Sequence, residues 1–302
     1  MPGPLRPGDL VRFLSPASSP ERAAVEASAA QLRRWGLRVD FGANAFRKLN
    51  YLAGTDEERL SDVNAALRDP EVRAIFATRG GKGSYRIADR LDFAAARHDP
   101  KHLVGFSDIT ILQLALWREG IGGAIQGAFS AADRDSGARG RPSVLKRALM
   151  ERHDIFLAAT ADEETFTLTT DGSAQGPLVG GNLDTIATAA GWALPRLTDC
   201  ILLLEAANMY LGQVDRQLTM LRKGGHLDGL AGIALGRFSD VEPSGALTVH
   251  DLLREHLAGL AVPILGGLPA GHGEGAMPLP MGYRASLDCE RRLLIVARSG
   301  GD

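Results

Sequence analysis

The sequence predicts an α/β fold whose first half is a mostly parallel sheet and whose second half is richer in strands. Three observations carry this. Apolar strand patterns alternate with amphipathic helix patterns from Leu10 to Arg118. Glycine-bearing turns fall where strands give way to helices. After a polar stretch at 131–142 the pattern changes to short strands. Alternation of strand and helix makes βαβ units, which need parallel strands, and ligands of such sheets sit at the carboxyl ends of the strands.

Taken in order, Leu10–Leu14 is a short apolar strand ending at Ser15-Pro16. Pro20–Trp35 has helical apolar spacing, with Ser19 as cap and Gly36 as stop. Leu37–Phe41 is a second strand. Thr55–Arg68 is a helix with acidic residues in its first turn, where they oppose the positive end of the dipole. Val72–Thr78 reads as a buried strand, followed by Arg79-Gly-Gly-Lys-Gly-Ser84 and a helix from about Tyr85. His102–Phe106 is a strand that runs directly into a helix over Asp108–Arg118. Residues 131–142 form a loop and Ser143–Arg152 a short helix. Beyond about Thr165 come helices at Leu183–Gly191 and Leu211–Arg222, strands at Ile233–Phe238 and Val262–Gly266, and a closing hairpin of Ala285–Asp288 with Arg292–Ala297. The expected organisation is an N-terminal domain over 1–150, a linker over 151–175 and a C-terminal domain over 176–302.

Composition narrows the function classes. Of 302 residues, 45% are hydrophobic and 23% charged, the balance of a globular chain. The net charge of −2, from 34 Lys and Arg against 36 Asp and Glu, offers nothing to a polyanion, so no nucleic-acid partner is expected. Two cysteines, Cys200 and Cys289, can build neither a thiolate zinc site nor a disulfide framework. No metal and no cofactor is expected. Charges interrupt the N-terminal segment, which lacks the apolar region of a signal peptide. Apolar runs such as Ile201–Leu204 are far too short to span a bilayer. A soluble cytoplasmic protein without a membrane partner is the expectation. Thirty-six glycines mark many sharp turns or close backbone approaches.

Three residues stand out as chemistry. In Leu103-Val-Gly-Phe-Ser-Asp-Ile-Thr110 a strand turns straight into a helix at Ser107. A hydroxyl there sits near helix N-terminal amides that can hold an oxyanion, the logic of a nucleophile elbow. Ile109 occupies the place of the second glycine of G-x-S-x-G, and Ser107 also reads as a plain helix cap. Glu205 ends the run Ile201-Leu-Leu-Leu-Glu205, at a strand end where a buried carboxylate needs a partner; a solvated strand-end Glu is the other reading. His272 lies in the glycine- and proline-rich loop Pro269–Gly282 between Gly271 and Gly273; the alternative is a surface histidine. The other six histidines sit in polar, solvated-looking contexts. Together the three residues supply a hydroxyl, a base and an orienting carboxylate. Their chain order, Ser then Glu then His, is also that of α/β-hydrolases. The Gly80-Gly81 turn exposes backbone amides to a ligand or oxyanion, but G-x-x-x-x-G-K-[ST] is absent. A generic phosphate cradle is a rival reading of that loop.

These residues resemble the LD-carboxypeptidase family, serine peptidases of murein recycling that include microcin-immunity amidases. The resemblance runs through Ser15-Pro-Ala-Ser-Ser-Pro20, Ala77–Ser84, Gly105-Phe-Ser-Asp108, Gly180-Gly-Asn-Leu183, Leu203-Leu-Glu205, Gly236-Arg-Phe-Ser-Asp240, Gly271-His272 and Leu279-Pro-Met-Gly282. It implies Ser107 as nucleophile, His272 as general base and Glu205 as its orienter. It implies an oxyanion hole from the backbone amides of Asp108 and Gly81. The implied fold is a flavodoxin-like N-terminal domain with a smaller β-rich C-terminal domain, and the implied assembly is a homodimer. The implied substrate is a muropeptide that loses its terminal D-Ala. Arg79 and Lys82, by charge and position, and Asn182, in its motif, are substrate-binding candidates. Three positions depart from the family pattern. Lys82 stands where the family usually has Tyr, no acidic residue follows Glu205 through Tyr210, and Gly-Ala-Met277 stands where an Asn is common. An amidase acting on acyl- or peptide-nucleotides, with Trp192 or Tyr210 stacking on the base, is the same-class rival. A Ser107/Lys82 dyad and a non-catalytic phosphate-binding module are further rivals.

Overall fold

In a computed structural model the chain divides into two compact units, Met1–Arg152 and His153–Asp302. The structure describes residues 1–128 and 143–298. The polar stretch expected as a loop at 131–142 lies outside the described residues.

The first unit is built on parallel strands β1 (Leu10–Leu14), β2 (Arg38–Phe41), β3 (Val72–Ala77), β4 (His102–Gly105) and β5 (Ala124–Gln126). Their spatial order is β5-β4-β3-β1-β2, which read from the other edge is the 2-1-3-4-5 order of flavodoxin-like sheets. The chain reverses its winding direction at β1 and β3, so the loops after β1, β3 and β4 meet at the carboxyl edge. β1, β3 and β4 read as apolar runs because helices cover both faces. Val11, Ala74 and Ile75 are at most 1% exposed. Val63 and Leu112, also buried, lie beside Ile75.

The helix Asp56–Arg68 begins as its sequence dictates. Thr55 accepts the amide of Glu58 at 3.2 Å and the Glu58 carboxylate returns a bond to the Thr55 amide at 2.9 Å, a reciprocal cap. The helix before it starts later than its spacing suggests. It spans Arg22–Arg34 with Glu21 as an N-cap that makes no side-chain bond. The extended residue before the first helical turn is Glu21, at φ −80° and ψ 120°, so Ser19 is not the cap. Gly36 does take the left-handed position just past the end, at φ 86°.

The helix expected from Tyr85 is instead two 3-10 turns, Ser84–Arg86 and Ala88–Arg90. Hydrogen bonds close three residues apart, from Arg86 N to Gly83 O and from Ile87 N to Ser84 O, both at 3.1 Å. The run breaks at Ile87, whose φ of −126° lies outside the helical range. The Ser84 amide at its start is taken by the buried Asp108 carboxylate at 2.7 Å.

The second unit holds a seven-stranded mixed sheet. Its strands are β6 (Ile155–Ala158), β7 (Ser173–Asn182), β8 (Ile201–Tyr210), β9 (Gly232–Glu242), β10 (Ile264–Leu265), β12 (Arg284–Asp288) and β13 (Leu293–Val296), with a two-residue β11 (Leu279–Pro280) elsewhere in the chain. The order is β10-β9-β8-β7-β12-β13-β6. Pairings from β10 to β7 are parallel and those from β7 to β6 antiparallel. The hairpin of β12 and β13 is the one the sequence predicts. Ile201 through Leu204 are 0% exposed because β8 is central and covered on both faces; the strand continues to Tyr210.

The segment 151–175, expected as a linker, is folded. It carries β6, which pairs with β13 from Ile155↔Val296 to Ala158↔Leu293, and a 3-10 helix at Glu164–Leu168. Ile155 and Leu157 point inward while Phe156 and Ala158 face out, the period of a half-buried strand. Four residues between polar neighbours are too short a signal to separate from coil. With this segment included, the two units are nearly equal in length.

Thr55→Ala removes the side-chain half of the reciprocal cap. It should lower the stability of the first unit by about 1 kcal/mol, read from the urea midpoint of circular dichroism.

Candidate active site

Ser107 sits where β4 ends. Its φ is 62°, a left-handed conformation uncommon for a residue with a Cβ and strained by ~1–3 kcal/mol. Phe106 before it is extended, and a 3-10 turn Ser107–Ile109 after it feeds the helix Thr110–Arg118. This helix resists relaxation of the turn. Thr110 through Leu116 are all buried, and the Gln113 carboxamide donates to Gly105 O at 2.9 Å and Ile125 O at 3.2 Å. The elbow is thus held from behind by β4 and β5.

The β3 loop lies directly against Ser107. A Cβ on Gly80 would stand 2.8 Å from the Ser107 Cβ and 3.0 Å from Phe106 O, so only glycine lets this backbone approach. The turn is pinned to the β1 loop. Ser18 N donates to Gly80 O at 3.4 Å, and Lys82 N donates to Ser18 Oγ at 3.1 Å. Arg59, at 1% exposure, donates through Nη1 to Gly83 O at 2.8 Å and to Pro16 O, and pairs with Asp56 at 2.5 Å. Burial pushes the Asp108 carboxyl up, against the opposing pull of its Ser84 hydrogen bonds and of Lys82. Arg79 and Lys82 are both exposed beside this turn.

Glu205 and His272 come together in the second unit. His272 Nδ1 is 2.6 Å from Glu205 Oε2, within a carboxylate that is 0% exposed. Burial pushes the imidazole pKa down, but the Glu205 hydrogen bond and charge, aided by Asp240, outweigh it and hold the imidazole above its ordinary 6.5. The contact needs Gly271. This residue has φ 106°, and a Cβ there would meet Glu205 Oε2 at 2.6 Å and Glu205 Cβ at 2.8 Å.

A β-bulge sits at the same point. β8 and β9 pair as Leu204↔Leu235 and then Ala206↔Phe238, so Gly236 and Arg237 together oppose Glu205. Bulges recur beside active sites because they re-aim a side chain. Sequence reasoning missed Arg237, although it lies inside the quoted Gly236–Asp240 motif. It also missed Arg59 and Glu163, for which the sequence carries no signal.

The remaining candidates fall as follows. Asn182 caps the helix Leu183–Ala189, its carboxamide oxygen accepting the Thr185 amide and hydroxyl at 3.2 Å each. Trp192 donates to Thr188 O at 2.7 Å, and Tyr210 is 73% exposed. Two histidines expected in solvent are buried. His102 lies 2.9 Å from Gly3 O, and His256, on the inner face of its helix, lies 2.8 Å from Asp215. Among the described residues no group of three or more His, Cys, Asp or Glu is arranged to hold a metal. No helix among them is long and apolar enough to cross a membrane.

The chain matches known proteins over most of its length. Residues 11–127 match the LD-carboxypeptidase N-terminal domain and residues 175–287 the LD-carboxypeptidase C-terminal domain. The murein tetrapeptide carboxypeptidase of Pseudomonas aeruginosa is 31% identical, over 93% of this chain and 94% of its own. The solved muramoyltetrapeptide carboxypeptidase of Oxalobacter formigenes superposes with a TM-score of 0.80 at 25% identity, over 95% of this chain and 98% of that one. The microcin C7 self-immunity protein MccF in complex with aspartyl sulfamoyl adenosine shares the fold, with a TM-score of 0.83 at 22% identity over 98% of each chain. A strained serine turn under a glycine loop, and a buried Glu–His pair, thus occur in a chain that belongs to the LD-carboxypeptidase family.

Proposed function

We propose that the protein is a serine carboxypeptidase that removes the terminal D-Ala from murein tetrapeptides by breaking an L,D-peptide bond. The observation that carries the reading is the bond between His272 and the fully buried Glu205 carboxylate. A carboxylate taken wholly out of water is costly. One that spends its oxygen on a histidine Nδ1 fixes the tautomer and leaves Nε2 to move protons. By family resemblance the protein works in the cytoplasm as a homodimer.

In this mechanism His272 Nε2 takes the proton of the Ser107 hydroxyl as Oγ attacks the scissile carbonyl. The Asp108 and Gly81 amides receive the oxyanion, each worth ~3 kcal/mol in the transition state. The C–N bond breaks as the imidazolium returns its proton to the leaving amine. Water then gives a proton to His272 and its oxygen to the acyl carbon. The ester breaks, and the proton returns to Ser107 Oγ. Arg79 and Lys82, exposed beside the Gly80-Gly81 turn, are the proposed partners of the terminal carboxylate, and Asn182 is a further substrate-binding candidate.

A second reading has one observation in its favour. Tyr210 is highly exposed and Trp192 partly so, surfaces on which a base can stack, and MccF is solved with an aminoacyl sulfamoyl nucleoside. An amidase of acyl- or peptide-nucleotides would use the same three residues.

Mass spectrometry of a tetrapeptide incubated with the protein should show loss of one D-Ala. Ser107→Ala or His272→Ala should lower kcat by on the order of 10⁶-fold. Normal turnover by Ser107→Ala would overturn the mechanism. Faster cleavage of an aminoacyl sulfamoyl adenosine than of the tetrapeptide would favour the second reading.

The base must be neutral to act. The raised His272 pKa therefore puts the acid limb of kcat/KM above pH 6.5, and Glu205→Gln should move it to lower pH. The stability effect has the opposite sense. A pKa raised by folding stabilises the fold at low pH, and that contribution is lost as pH rises through the folded value. Titration of the His272 imidazole by NMR in both proteins checks the direction.

A further inference from the structure

The loop that carries His272 has little stiffness of its own. Gly271, Gly273 and Gly275 all have positive φ, from 73° to 106°. Its carbonyls converge instead on one residue of β9. The Arg237 amide donates to Ala270 O at 2.9 Å. The Arg237 guanidinium donates through Nη1 to Glu274 O at 2.7 Å and to His272 O at 3.4 Å. Alternate carbonyls on both sides of the histidine are therefore held from a single side chain and its own amide. The amide points to the loop by the ordinary alternation of β9, since the Ile233 amide and the Leu235 carbonyl bond to the same side. The approach is close enough that a Cβ on Gly273 would lie 3.1 Å from Nη1.

The guanidinium is itself fixed from elsewhere. Glu163 accepts Nε at 2.8 and 3.0 Å and Nη2 at 2.5 Å, the two-point fork that sets an arginine plane. The pair is largely buried, with side-chain exposures of 18% and 15%. Two residues on, Thr165 Oγ1 donates to Gly236 O at 3.1 Å and accepts the Gly267 amide at 2.9 Å. The base of the strut is thereby stapled to the bulge and to the start of the loop.

We propose that Arg237 is the positioning residue of His272, held in its working orientation by Glu163. This rests on the reading of His272 as general base. Glu205 fixes the imidazole from its Nδ1 side, while Arg237 fixes the backbone from which the ring projects. An imidazole displaced by about 1 Å can cost ~10²-fold in rate, and the loop's glycines themselves add little resistance to such a shift.

The test compares wild type with Arg237→Met, Arg237→Lys and Glu163→Gln in the full chain. The measurements are kcat and KM on the tetrapeptide and amide hydrogen exchange across residues 268–278. Arg237→Met should lower kcat by ~10²-fold with KM changed less than about threefold, and should speed exchange in that loop. Arg237→Lys keeps one charged donor but not the fork and should recover part of kcat. Glu163→Gln leaves the guanidinium in place with a weaker tether and should lower kcat by about tenfold; it carries the test if Arg237→Met does not fold. A kcat within twofold of wild type in both Arg237→Met and Glu163→Gln would overturn the proposal. So would a fall in which KM takes all of the change. If wild type cleaves no peptide, the functional reading fails on its own. Exchange then decides the strut: faster exchange confined to the loop supports it, and unchanged exchange overturns it.

Discussion

A carboxylate without solvent, set in the central strand of the second sheet, is the constraint around which that unit is arranged. Burying a carboxylate with no partner is costly. Glu205 is tolerated because His272 meets one oxygen at 2.6 Å. That contact in turn dictates its neighbours. Gly271 must lack a Cβ for the loop to reach the carboxylate, and β9 bulges opposite Glu205. The long apolar strand supplies a rigid, dry platform, since Ile201 through Leu204 are 0% exposed. The same dryness makes the charge of Glu205 act strongly on the imidazole.

The first unit solves a different problem. Its strain is conformational rather than electrostatic and is concentrated at Ser107. A left-handed serine persists only if its surroundings over-determine it. Here β4 precedes it, the wholly buried start of the helix Thr110–Arg118 follows it, and Gly80 lies so near its Cβ that no side chain fits there. The loops that cover it are not left to chance either. Buried Arg59 ties the β1 and β3 loops together, and Asp108 ties the β3 loop to the elbow. Both units follow one plan, in which glycine permits a close approach and a buried charged side chain prevents it from wandering.

Much of this was legible in the sequence and some was not, for physical reasons. Strands β1, β3 and β4 and the helix Asp56–Arg68 follow from apolar runs and from an acidic first turn, all local signals. Ser107, Glu205 and His272 stand out by residue type at strand ends and in a glycine-rich loop, and the pairing of Glu205 with His272 is a fact of the fold. The expected helix at Tyr85 is broken at Ile87, whose φ of −126° lies outside the helical range, and no local pattern marks that break. The bulge opposite Glu205 depends on how two strands some thirty residues apart are registered, and no local pattern encodes that. Glu163 was hidden for the same reason, as its partner Arg237 lies 74 positions on.

The short strand β6 has a consequence for how the chain can be divided. The matched C-terminal domain begins at residue 175, and a fragment begun there would look complete by family boundaries. It would lack the outermost strand of its own sheet. β13 would then present an unpaired backbone edge flanked by buried Leu294 and Val296, and such edges recruit other chains. The twenty-odd residues before the boundary act as a selvage: they finish the sheet so that it does not fray into its neighbours.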